Sequence, residues 1–160
     1  MKFISAAIFT VGFASSIQAA TLVFNGVLQG SQEVPSNTSP GTGAVSLVID
    51  SVTRNWSLTG SFSGLNGNAN NAHIHGPAAP GVSAGPIVGL SFTPATSGTL
   101  SGSGTFSAPD YNNLVSELFY VNLHSAAFPG GELRAQLVPE PSAALLGAVA
   151  GLGLLRRRRA

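Results

Sequence analysis

The sequence predicts an all-β protein, an antiparallel β-sandwich of about eight strands with one short helix, flanked by an N-terminal signal peptide and a C-terminal hydrophobic helix. Three observations carry this. Apolar residues alternate with polar ones in runs of four to eight, the signature of half-buried strands. Between residues 21 and 138, sixteen Gly and eight Pro cut the chain into short pieces, as turn residues do in sandwiches. One stretch alone carries helical spacing.

The strands follow in order. Residues 22–29 open the span. Val45, Leu47 and Ile49 share one face of the second strand, and Trp56, Leu58 and Phe62 one face of the third, with Asp50-Ser51-Val52-Thr53 as the hairpin turn between them. Further strands are expected at 70–75, 86–92, 98–106, 118–124 and 132–138. Pro109 to Leu118 reads as the helix, with Ser107 or Ala108 ahead of a proline in the first turn and Tyr111, Leu114, Val115 and Leu118 on one side.

The last two strands define a register. Pairing Leu123 with Leu133 sets Val121 opposite Ala135 and Phe119 opposite Leu137. It also sets His124 opposite Glu132, Asn122 opposite Arg134 and Tyr120 opposite Gln136. One face is wholly apolar and the other wholly polar, and a slip by one residue would mix them.

The formal charge is +1, but the charges are segregated. Lys2 and Arg156, Arg157, Arg158 and Arg159 lie at the ends. Span 21–138 holds Arg54 and Arg134 against Glu33, Asp50, Asp110, Glu117 and Glu132, an excess of three acidic groups. A nucleic-acid binder is excluded, since displacing phosphate counterions needs clustered Lys or Arg. The chain contains no cysteine, so neither a disulfide framework nor a thiolate site is available.

Both ends read as processing signals. Residues 1–20 combine a basic start, an apolar run from Ile4 to Phe13 and small residues before a cut after Ala19 or Ala20, which predicts a secretory signal peptide. An uncleaved N-terminal anchor is the competing reading. Residues 139–160 begin with Pro139-Glu140-Pro141, continue as an uncharged helix over 142–155, and end in the Arg run 156–159. Fourteen residues span roughly 21 Å, short of the ~30 Å hydrocarbon core. The Arg cluster favours the cytoplasmic side. In motif, apolar run and Arg cluster this segment closely resembles the PEP-CTERM sorting signal. The resemblance implies a Gram-negative bacterium that makes exopolysaccharide, an exosortase-type enzyme as partner, and transient membrane association through the C-terminal helix. A permanent tail anchor is the competing reading. The expected location is outside the inner membrane, in the cell envelope or extracellular matrix, with exopolysaccharide as a candidate partner.

Span 21–138 is left as one domain. Its three histidines all fall on polar faces. His73 and His75, in His73-Ile74-His75, point to the same side of a strand about 7 Å apart. If that strand neighbours 118–124, His124 joins them. Three imidazoles with one open or carboxylate position suit copper or zinc. Tyr120, Asn122, Glu132 and Arg134 would then support the site from the same polar face. The competing reading has these histidines as hydrogen-bonded polar groups, with His124 paired to Glu132.

A family resemblance rests on several motifs in order: Phe24-Asn25-Gly26, Gln32-Glu33-Val34-Pro35, Ala72-His73-Ile74-His75-Gly76, Tyr120-Val121-Asn122-Leu123-His124-Ser125 and Pro129-Gly130-Gly131-Glu132-Leu133-Arg134-Ala135-Gln136. Over residues 21–138 the chain resembles the CHRD (chordin) domain. The resemblance implies an immunoglobulin-like β-sandwich. It implies no established chemistry, and growth-factor binding does not carry over from chordin.

Enzymatic readings are weak. Ser125 follows His124 directly, so the two side chains point to opposite faces and form no nucleophile–base pair. Gly102-Ser103-Gly104 lacks the strand-to-helix context of a phosphate loop. Asn66 to Asn71 has no carboxylates for calcium. The sequence therefore leads to an exported structural or binding module, with a three-histidine copper or zinc protein as the alternative.

Overall fold

A computed structural model of the chain describes residues 19–140. The predicted signal peptide, apart from Ala19 and Ala20, lies outside them, as do Pro141, the expected 142–155 helix and Arg156 to Arg159. Ten strands are present: β1 (Thr21–Gln29), β2 (Thr42–Asp50), β3 (Asn55–Ser63), β4 (Ala69–His75), β5 (Pro86–Gly89), β6 (Ser91–Phe92), β7 (Gly98–Thr105), β8 (Tyr120–Ser125), β9 (Leu133–Gln136) and β10 (Val138–Pro139). Among the described residues one α-helix, α1, spans Ala108–Val115. The fold is all-β and antiparallel, as expected.

The strand count differs from eight because two expected strands each split at a leucine. Leu90 interrupts 86–92 and donates its N–H to Ala72 O at 2.8 Å. Leu137 interrupts 132–138 and donates to Phe119 O at 2.9 Å. Both leucine side chains are buried. The first split lets the chain change pairing partner, β5 lying on β4 and β6 on β7, whereas β9 and β10 both pair with β1 and β9 alone also lies on β8.

The layering also differs from two separate sheets. The strands form one hydrogen-bonded path, β5-β4-β8-β9-β1-β2-β3-β7-β6, with β10 beside β1. The first and last strands of that path, β5 and β6, are joined through Leu90 alone. The sheet therefore curls round until its ends meet, making a nearly closed, barrel-like shape. Closure protects edges that an open sheet would leave unpaired.

The core follows the alternation. Phe24 and Leu28 of β1, Val45, Leu47 and Ile49 of β2, and Trp56, Leu58 and Phe62 of β3 point inward with Leu100, Val121, Leu123 and Leu133. Trp56 stacks on Phe106 with centroids 5.0 Å apart and planes 16° apart. The β2–β3 turn forms where expected: Asp50 Oδ1 accepts from the N–H groups of Val52 and Thr53 at 2.9 and 2.7 Å. Helix α1 starts on Ser107, whose Oγ accepts from Asp110 N at 3.2 Å. It stops before Leu118 because Glu117 enters the left-handed region at φ 61°. Among the described residues no helix is long and apolar enough to cross a membrane.

Candidate metal centre

The β8–β9 register places Tyr120 opposite Gln136, Val121 opposite Ala135, Asn122 opposite Arg134 and Leu123 opposite Leu133. The polar face of this hairpin is not a solvent face. Tyr120, Asn122, Glu132, Arg134 and Gln136 are all buried, because two chain segments lie over them. Residues 76–85 cover one part: Arg134 Nη1 donates to Val82 O at 2.8 Å, and Gln136 Nε2 to Ala78 O at 3.1 Å. Residues 30–41 cover the other, with Asn37 Nδ2 donating to Glu132 O at 3.1 Å. The backbone carbonyls of these coverings satisfy long polar side chains that would otherwise be costly to bury.

Strand β4 does neighbour β8, with His73 opposite Asn122 and His75 opposite Tyr120. Asn71 faces His124, so all three imidazoles emerge on one side of two adjacent strands. Their ring centroids lie 5.4, 5.4 and 6.0 Å apart. One nitrogen from each falls within 4.8 Å of the other two. His73 Nδ1 and His124 Nε2 are 3.4 Å apart. Two imidazole nitrogens, each about 2.0 Å from a shared tetrahedral metal, would lie roughly 3.3 Å from each other.

Hydrogen bonds orient two of the rings. His75 Nδ1 lies 2.9 Å from Ala84 O, and His124 Nδ1 lies 2.9 Å from Pro129 O. A carbonyl only accepts, so each ring carries its proton on Nδ1 and keeps a lone pair on Nε2. Ligating histidines are commonly held in this way through their second nitrogen. His75 is 7% exposed and its Nε2 is buried without a partner. An orphaned buried acceptor beside two other imidazole nitrogens fits a metal ligand. Burial holds the His73 and His75 imidazoles below their usual protonation range. The neighbouring His124 adds to this at His73, and at His75 the Ala84 carbonyl partly opposes it. Both rings are therefore neutral at pH 7, the form that binds metal.

Behind His75 is a stack of aromatic and cationic groups. Tyr120 packs against His75 at 5.1 Å and 25°, and the Arg134 guanidinium lies 3.6 Å from the Tyr120 ring centroid. Tyr120 Oη also bonds Ala84, donating to its carbonyl at 3.1 Å and accepting from its N–H at 3.0 Å. Tyr120 and Arg134 thus buttress the centre.

Glu132 takes no part in it. Its Oε1 accepts from Ser39 Oγ at 2.6 Å and from Asn66 N at 2.7 Å. The expected facing of His124 and Glu132 is not made, because the ladder ends at Leu123–Leu133 and His124 turns to Pro129 O. Asn122 lies between the histidines and Arg134 in register, but its Oδ1 is buried without a partner. Glu33, outside the expected support set, reaches the same buried region, and desolvation raises its carboxyl from 4.5 to about 7 against the pull of Arg134. The Ala84 and Pro129 carbonyls have no signal in sequence, because any residue presents one.

No curated protein and no solved structure matches the chain. A family model does, that of the CHRD domain, over residues 24–137. That match takes in nearly every strand of the barrel and all three histidines, and the chain therefore belongs to the CHRD domain family.

Proposed function

We propose that this CHRD module is exported and holds one copper or zinc ion through His73, His75 and His124. The observation that carries the metal reading is the buried, unpartnered Nε2 of His75, beside His124 Nε2 and the His73 ring with both neighbours' protons fixed on Nδ1. His75 and His124 present lone pairs, His73 supplies the third nitrogen, and Tyr120 and Arg134 keep His75 from swinging away. Bound there, copper would supply one-electron redox capacity and zinc a Lewis acid. The test is metal analysis of the purified chain with copper and zinc titration. One ion per chain, lost on His75→Ala, is the expected result. No stoichiometric copper or zinc with all three histidines intact sinks the metal reading and leaves a structural module.

The export reading rests on the order of sequence features at the two ends. Residues 1–20 direct secretion, and Pro139-Glu140-Pro141 with the 142–155 segment and Arg156 to Arg159 acts as a PEP-CTERM-like signal for an exosortase-type enzyme. The domain is delivered to the envelope or exopolysaccharide matrix of a Gram-negative bacterium. Deleting residues 139–160 should move the protein from the envelope fraction to the medium, and an unchanged distribution counts against this reading.

A further inference from the structure

A second unusual surface is built from the outward positions of β3, β6 and β7, on the side of the barrel reached from the histidine strand β4 through β5. Ser57, Thr59, Ser61, Ser91, Ser101 and Ser103 are all exposed there. They are in register: Ser57 faces Ser103, Thr59 faces Ser101, and Ser91 faces Ser101 from the other side. Trp56, Leu58 and Phe62 point the opposite way into the core. Alternation therefore leaves hydroxyls on the outside, with Asn55 at one end of β3.

These hydroxyls are unengaged. The neighbouring Thr99 and Thr105 bond to Thr93 and Asn55. Among the described residues, the six named above have no such side-chain bond. Each hydroxyl offers one donor and two acceptor positions, so the face has a dense, unused hydrogen-bonding capacity.

The surface is also concave. A hollow of about 500 Å³ lies over Ser57, Thr59, Ser91, Ser101 and Ser103. A second, of about 710 Å³, runs from Thr59 and Ser61 past Ser46 to Asn25, Gln32 and Gln136, with Val27, Ala44, Val45 and Val138 making much of its lining apolar. The two share Thr59, so together they cross β6, β7, β3, β2 and β1, which at about 4.8 Å per strand step is roughly 19 Å. No charged residue lines either hollow.

We propose that this trough binds a neutral polysaccharide chain laid across the strands. The proposal rests on the export part of the function above. Free hydroxyls match a hydroxyl-rich polymer, and an uncharged lining has nothing to offer an ionic one. The acidic excess of span 21–138 repels anionic glycans. Exposed hydroxyl contacts compete with water and are individually weak. Binding therefore depends on many contacts along a polymer, and monosaccharides should not compete.

The test is affinity electrophoresis of the full-length chain, purified in detergent, in gels containing neutral glucans (dextran or soluble starch) or anionic alginate. The expected result is retardation by a neutral glucan, none by alginate, and no relief by free glucose. The combined Ser57→Ala, Thr59→Val, Ser101→Ala, Ser103→Ala variant should lose at least about 5-fold in apparent affinity while keeping its circular dichroism spectrum. Asn112→Ala, on the exposed side of α1 away from both hollows, should bind glucan like the parent. Equal retardation by alginate, no retardation by either glucan, or no effect of the combined variant overturns the proposal. So does a dimer in solution that the combined variant dissociates, because the face would then serve a second copy. Metal content and localisation are read by other measurements, so failure here leaves the metal and export readings standing, and failure of the metal reading leaves this one.

Discussion

His75 joins the two halves of the centre: its Nδ1 is bonded to the covering segment at Ala84, and its Nε2 is left over for a ligand. His75→Ala should therefore weaken copper or zinc binding by at least about 100-fold, beyond the loss expected for a supporting partner, as read by competitive titration. Acid should act in the same direction. His73 and His75 protonate below the ordinary value of 6.5, so metal should be retained down to about pH 6.5 and released below it, which a chelator-monitored pH titration would show. Glu33 has the opposite sign. Its folded-state value of about 7 lies above the ordinary 4.5, so the folded state holds the extra proton. That stability is fully present below pH 4.5 and is lost as pH rises through 7. Glu33→Gln should consequently gain on the order of 1–3 kcal/mol over the parent at pH 8 compared with pH 5, measured by urea unfolding at both pH values.

At the scale of elements, Trp56 on β3 and its stack with Phe106 join the strand to the chain leading into α1. Trp56→Ala should cost about 3–5 kcal/mol in urea unfolding without changing metal affinity, because the ring faces the core. Ser107→Ala removes the acceptor for Asp110 N and should cost about 1 kcal/mol. The elements differ in how far sequence revealed them. The β8–β9 pairing was legible because each face is chemically uniform, and a one-residue slip would put Leu123 beside Arg134. The breaks at Leu90 and Leu137 were not, since a leucine in an alternating run looks the same whether its strand continues or changes partner. The end of α1 was overrun because Leu118 keeps helical spacing, while Glu117 turns the backbone out of the helix.

At the scale of the molecule, the pairing of β4 with β8, strands far apart in the chain, assembles the three imidazoles. A ligand that binds only the assembled site should stabilise the whole barrel. At a free metal concentration of 100 Kd the gain is about 2.7 kcal/mol, visible as a rise in Tm that His75→Ala abolishes and a chelator reverses. Residues 30–41 and 76–85 pack over the polar face of β8 and β9, so Arg134 ends in the interior at 1% exposure. From sequence a polar strand face reads as solvent-facing. Only the chain segments folded over it, bonding through their carbonyls, make burial tolerable.

The sequence by itself determined where the strands run apart from the breaks at Leu90 and Leu137, the β2–β3 turn, the hairpin register as far as Leu123–Leu133, the inward set of apolar residues and the two-residue spacing that puts His73 and His75 on one side. These are local: they follow from alternation, turn chemistry and the pleat of a single strand. Tertiary structure alone decided that β4 lies against β8, that Glu132 bonds Ser39 and Asn66 instead of His124, and that Ala84 and Pro129 fix the imidazole protons. Those outcomes depend on which distant segments meet when the chain folds, and the contacts that orient the rings are made by backbone carbonyls, which every residue carries alike.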